Sequence, residues 1–133
     1  MMADDIDLTG AWKGIFHYPH SLPPGHFDAE LRDGQGALIG ETFEIADAGP
    51  EAGQPLHAML TGHRQGREVR FVKHYDHRRR VRTPVHYSGQ ARDGGLEISG
   101  IWHIPGHWSG SFLMIRATPR SVMVERKEAV TVR

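Results

Sequence analysis

The sequence predicts an all-β chain that closes into a single up-and-down antiparallel barrel of about eight strands. Three observations carry that prediction. Apolar and polar residues alternate with period two in one stretch after another, the pattern of half-buried strands. Turn signals such as Asp33-Gly34, Gln65-Gly66, Asp93-Gly94-Gly95 and Pro105-Gly106 separate the stretches at short intervals. A motif ending in glycine recurs, as Leu8-Thr9-Gly10, Leu38-Ile39-Gly40, Leu60-Thr61-Gly62, Tyr87-Ser88-Gly89, Ile98-Ser99-Gly100 and Trp108-Ser109-Gly110. A glycine inside a strand permits the sharp bend that a small closed barrel needs.

The elements follow in order. On the first strand Leu8, Gly10, Trp12, Gly14, Phe16 and Tyr18 share one face, and Thr9, Ala11, Lys13, Ile15 and His17 the other. Pro19 ends it, and residues 21–25 read as a loop. Phe27, Ala29 and Leu31 mark the inner face of the second strand, with Asp33-Gly34 as its hairpin signal. The third strand, residues 37–45, admits two registers. Either Ala37, Ile39, Glu41, Phe43 and Ile45 face inward, or Gly40 aligns with the other glycines and Thr42 and Glu44 face inward. Residues 48–54 are a Gly/Pro-rich connection to the fourth strand, marked by Leu56, Ala58, Leu60 and Gly62. Val69, Phe71, Lys73 and Tyr75 mark the fifth, and Val85, Tyr87, Gly89 and Ala91 the sixth. Residues 96–116 read as two strands around Pro105-Gly106, with Leu96, Ile98, Gly100 and Trp102, then Trp108, Gly110, Phe112, Met114 and Arg116 on the large-residue face. The whole chain, 1–133, is expected to be one domain, with a barrel core over 7–116 and a tail or extra strand over 117–133.

Composition narrows the function classes. The 133 residues carry 16 basic and 16 acidic side chains, so there is no global pull toward nucleic acid or an anionic membrane. There is no cysteine, which removes disulfides, thiolate metal sites and cysteine nucleophiles together. The acidic first ten residues lack the apolar run of a signal peptide. No window approaches the roughly 18 apolar residues of a membrane span. A cytoplasmic protein without a nucleic-acid or membrane partner is the expectation. The basic run His77-Arg78-Arg79-Arg80-Val81-Arg82 reads as a solvated hairpin tip.

Asp7-Leu8-Thr9-Gly10-Ala11-Trp12 resembles the G-x-W opening strand of the calycin barrels, the group of lipocalins, fatty-acid-binding proteins and avidins. In those families the tryptophan plugs one barrel end, and a basic residue of the last strand packs across it. Trp12 matches the first and Arg116 the second. Chain length and strand count are similar to avidin's. The resemblance implies a small-ligand-binding barrel as a family habit. It transfers no ligand residue of any one member.

Candidate site residues come from polar and aromatic positions on the inner faces. Lys73 lies between Phe71 and Tyr75, where an unpaired charge would be costly. Its pKa should fall unless a carboxylate compensates, and Glu41 or Glu44 is the candidate, according to register. Trp12, Tyr18, Tyr75, Tyr87, Trp102 and Trp108 supply aromatic walls of the kind that suit an organic ligand. The ligand-binding set is therefore Trp12, Tyr18, Glu41, Lys73, Tyr75, Tyr87, Trp102 and Arg116. If the interior is a ligand site, replacing Lys73 by Met should spare folding and weaken binding; if Lys73 instead snorkels at the barrel mouth, the change should alter neither. The ten histidines scatter over outward faces and loops, so neither metal nor another cofactor is expected. No G-x-S-x-G elbow, P-loop or dinucleotide fingerprint occurs.

The expected function is binding of a small organic molecule, anionic or aromatic, inside the barrel. Two alternatives stand beside it. One is a cyclase- or isomerase-type enzyme using the same interior, with Lys73, a glutamate and the tyrosines as acid–base groups. The other is a filled barrel acting as a protein-interaction module. Ile15, Val72, Ile101, Leu113 and Ile115 fall on outward faces, so a homodimer buried over Ile101, Leu113 and Ile115 is expected.

Overall fold

The alternation of the sequence becomes eight strands in the computed structural model, which describes residues 6–20, 22–46, 52–75 and 84–117. They are β1 (Gly10–Phe16), β2 (Gly25–Gly34), β3 (Ala37–Ile45), β4 (Pro55–Gln65), β5 (Glu68–Tyr75), β6 (Val85–Arg92), β7 (Glu97–His103) and β8 (Ser109–Ala117). Each pairs antiparallel with the next, and β8 pairs with β1, so the sheet closes into a barrel with no free edge. This is the general shape that the calycin resemblance implies.

Side chains that alternate along the strands alternate between interior and surface. In β2, Phe27, Ala29 and Leu31 are buried while His26, Asp28, Glu30 and Arg32 are exposed. The core gathers Trp12, Leu38, Leu60, Val69, Phe71, Ile98, Trp102, Phe112 and Met114 from the inner faces of the other strands, with Leu8 just ahead of β1. Trp12 and Trp102 are both inside, as the alternation predicts.

Glycines let the strands press together where the sheet curves. Gly89 of β6 and Gly100 of β7 stand opposite each other in the ladder. A Cβ on Gly100 would run into the Ser88 carbonyl oxygen and the Gly89 Cα, so any larger residue would force the strands apart.

The β2–β3 turn departs from the sequence reading. Its tip is Gln35-Gly36, both at positive φ, 59° and 102°. Gly34 remains in the ladder opposite Ala37. Asp33 is instead an acceptor for the turn, taking the Gly36 N–H on Oδ1 at 3.0 Å. That turn fixes the register of β3. Leu31 faces Gly40 and Ala29 faces Thr42, so Leu38, Thr42 and Glu44 point inward and Ile39, Phe43 and Ile45 point out. Aligning Gly40 with the other glycines is the correct register. Leu96 also differs from expectation: it precedes β7 and is exposed rather than in the core.

The up-and-down order gives the barrel two distinct ends. β1 starts and β8 finishes at the Trp12 end, where the turns β2–β3 and β4–β5 are tight. At the other end lie Phe16, Ile45, Tyr75, Val85 and His103. We call it the Lys73 end. The expected basic tip His77-Arg78-Arg79-Arg80-Val81-Arg82 and all but the first residue of the 117–133 tail lie outside the described residues.

Candidate functional site

The Trp12 end is a plug. Trp12 is buried and donates its indole N–H to the Leu8 carbonyl at 3.0 Å. The Arg116 guanidinium lies over the Trp12 ring, 5.0 Å from its centroid, as the calycin resemblance implies. Arg116 also donates to the carbonyls of Gly95 at 3.1 Å, Thr9 at 3.2 Å and Asp7. Next to it, Asp33 Oδ2 accepts from Arg64 Nε at 2.7 Å and from the Leu8 N–H at 3.0 Å. Burial works against the Asp33 carboxylate, but Arg64 and the N–H groups of Leu8 and Gly36 outweigh it, and its pKa lies below the ordinary value. These groups tie residues 7–9 across the barrel end. Trp12 and Arg116, both in the expected ligand set, are held in this plug.

The Lys73 end carries a different arrangement. Lys73 on β5 is 1% exposed, and its ammonium donates to Glu44 Oε1 on β3 at 2.6 Å. The Tyr75 hydroxyl donates to the same oxygen at 3.2 Å. Four rings surround the ammonium: Tyr75 at 4.8 Å, Phe27 at 5.0 Å, Phe16 at 5.5 Å and Tyr87 at 6.0 Å from their centroids. Burial opposes the charge on Lys73, yet Tyr87, Tyr75 and Glu44 together outweigh it, and the lysine pKa rises. The carboxylate that the sequence reading required is therefore present. Burial pushes the Tyr75 phenol up to about 12, and the Tyr87 phenol is likewise raised by burial. The site thus sets the Lys73–Glu44 ion pair beside two phenols.

Thr42 adjoins this group on the inner face of β3, two residues before Glu44. It is 1% exposed, and its Oγ1 has no hydrogen-bond partner among the described residues. In an interior where buried polar atoms are normally paired, this hydroxyl stands out. Toward the rim, Tyr18, Trp102 and Trp108 form an aromatic cluster. Tyr18 lies 5.2 Å from Trp108 and 5.9 Å from Trp102, centroid to centroid. Trp102 is buried, whereas Trp108 is 40% exposed, just ahead of β8, rather than an inner wall.

The structure thus divides the expected ligand set. Tyr18, Lys73, Tyr75, Tyr87 and Trp102 gather in the Lys73 half, and Trp12 and Arg116 stand in the plug. Glu41 does not belong with them. It points outward on β3 and pairs with His57 of β4 at 2.7 Å, because inward positions of that strand are even-numbered. Glu44 takes the place proposed for it. Lys73→Met would leave the Glu44 carboxylate buried without its cation, so the burial seen here argues for a folding cost that the sequence reading did not expect. Phe16, Phe27 and Thr42 also contribute, and none was singled out as a ligand candidate from sequence. The alignment of Gly40 with the other inward glycines is the signal that places Thr42 and Glu44 inside.

Among the described residues no three His, Cys, Asp or Glu side chains are grouped as metal donors. No family model, curated protein or solved structure matches this chain.

Proposed function

We propose that this chain is a calycin-like binding protein that holds a small organic molecule in the Lys73 half of the barrel. The observation that carries the reading is the Lys73–Glu44–Tyr75 group set among the aromatic rings of the interior. A buried ion pair adds little or nothing to stability over apolar residues of the same volume. Its confinement to the end opposite the plug is what a specificity-giving polar group in an aromatic-lined site requires. Tyr18 and Trp108 pack against each other toward the rim of that half, 5.2 Å between centroids. Native mass spectrometry of freshly purified protein, followed by tryptophan fluorescence titration with whatever is released, tests the proposal. A retained small molecule that alters Trp102 and Trp108 emission supports it. A protein without adduct, whose emission is unchanged across a small-molecule library, refutes it.

A second reading, self-association, is favoured by the outer surface. Ile101 is 58% exposed and Ile115 45%, with half-buried Leu113 near them on the β7–β8 flank. Serines interrupt that flank: Ile101 faces Ser111, and Leu113 faces Ser99. The β3–β4 flank is more continuous, with Ile39, Phe43, Ile45 and Met59 exposed. Sedimentation of Ile101→Lys against Phe43→Lys separates the two faces. A monomeric wild type at tens of micromolar removes this reading.

A further inference from the structure

The ladder places Thr42 between two alanines. Ala29 of β2 faces it on one side and Ala58 of β4 on the other, both buried. Tyr75 of β5 continues the row beyond Ala58. Neither alanine offers a donor or acceptor, so the wall here consists of small side chains around a single hydroxyl. Thr42 Oγ1 is buried without a partner among the described residues. A valine would occupy the same space without an unmet hydrogen bond, so the hydroxyl works against stability in the free protein. A group that a bound molecule completes is the physical counterpart of that arrangement.

The neighbouring charges restrict what the molecule can be. Lys73 and Glu44 already neutralise each other, with side chains 1% and 7% exposed. A third charge beside them would be desolvated with no counter-ion, and such burial is unfavourable. Arg116, the other cation expected to attract an anion, is engaged at the opposite end. The rings around the site offer flat faces, with Phe71 stacked on Tyr87 at 4.8 Å and the Tyr18–Trp102–Trp108 cluster near the rim.

We infer that the Lys73 half takes an uncharged, planar aromatic molecule whose polar end hydrogen-bonds the Thr42 hydroxyl. The inference rests on the binding reading above and replaces the anion that the sequence suggested. Thr42 both donates and accepts, so an amide or lactam edge matches it.

Three planar probes of nearly one shape test it: benzamide, benzoate and benzamidine, which are neutral, anionic and cationic. Each is titrated at millimolar concentration into the full-length 15N-labelled protein, with amide shifts as the readout. Benzamide should move the amides of Ala29, Thr42, Ala58 and Tyr75 and bind at least about fivefold tighter than either charged probe, the lower range for one unmatched hydrogen bond or charge. Thr42→Val should weaken benzamide by about five- to tenfold, leave the melting temperature equal or higher, and leave the charged probes unchanged. Thr42→Ser should restore most of the affinity. Benzoate or benzamidine binding tighter than benzamide would overturn the ligand class while leaving a binding site in this half. Equal benzamide affinity in wild type and Thr42→Val would overturn the role of Thr42. No shift at any amide of the Lys73 half with any probe would overturn the binding reading as well.

Discussion

At the Trp12 end, Arg116 directs its N–H groups to the backbone carbonyls of Asp7, Thr9 and Gly95, and Arg64 meets Asp33 beside the Leu8 N–H. At the Lys73 end, the buried Lys73 ammonium meets the Glu44 side-chain carboxylate, surrounded by rings. The first arrangement stitches chain segments together and satisfies backbone groups that a barrel rim would otherwise leave unpaired. The second joins side chains of β3 and β5. Its charges could be replaced as a pair by apolar residues with little loss. The same residue classes thus hold backbone segments at one end and form a side-chain ion pair at the other.

The largest effect separating the ends should come from Lys73→Met. It leaves the Glu44 carboxylate buried alone and should lower unfolding free energy by about 3–5 kcal/mol. Combining it with Glu44→Leu should recover stability to within about 1 kcal/mol of wild type. Urea denaturation of the three proteins checks both statements, and a silent single substitution would mean that the pair is not desolvated.

Asp33→Asn should cost about 2 kcal/mol, the scale of lost hydrogen bonds to a charged group, and no second substitution inside the barrel should rescue it. Its acid profile sharpens the contrast. The folded-state pKa of Asp33 lies below its ordinary value of 3.8, and so does that of Asp7, held down first by the Thr9 N–H. A depressed carboxylate adds stability that is present above the ordinary value and lost as pH falls through the folded one. Wild-type melting temperature should therefore fall below about pH 4, and less steeply in Asp33→Asn. Equal slopes would place the acid sensitivity elsewhere.

The smallest effect is expected from Tyr75→Phe, which removes the 3.2 Å hydrogen bond to Glu44. About 1 kcal/mol is the scale of such a bond. A much larger loss, read from the same denaturation curves, would mean that the Lys73 end is as structural as the plug.

Much of this was legible along the chain. Period-two alternation assigned Trp12, Phe27, Lys73, Tyr87, Trp102 and Phe112 to the interior, because in a strand the side-chain direction is set by parity alone. The turn signals set the strand number, and the Trp12–Arg116 pairing followed from the resemblance. The choice between Glu41 and Glu44 was not legible, since both parities of residues 37–45 carry apolar residues. Only the turn at Gln35-Gly36, pairing Ala29 with Thr42, decides it. A one-residue slip would have exchanged every inward side chain of that strand.

What the sequence determined by itself is thus local: strand parity, turn positions to within a residue or two, and the absence of cysteine chemistry. What tertiary structure decided is every partnership across the barrel. Lys73 and Glu44 are 29 residues apart, and Arg64 and Asp33 are 31 apart. No pattern within one strand encodes which strand lies opposite or at what level. Closure of the sheet and the stagger of its ladders fix those distances, and with them which charges are paired and which hydroxyl is left over among the described residues.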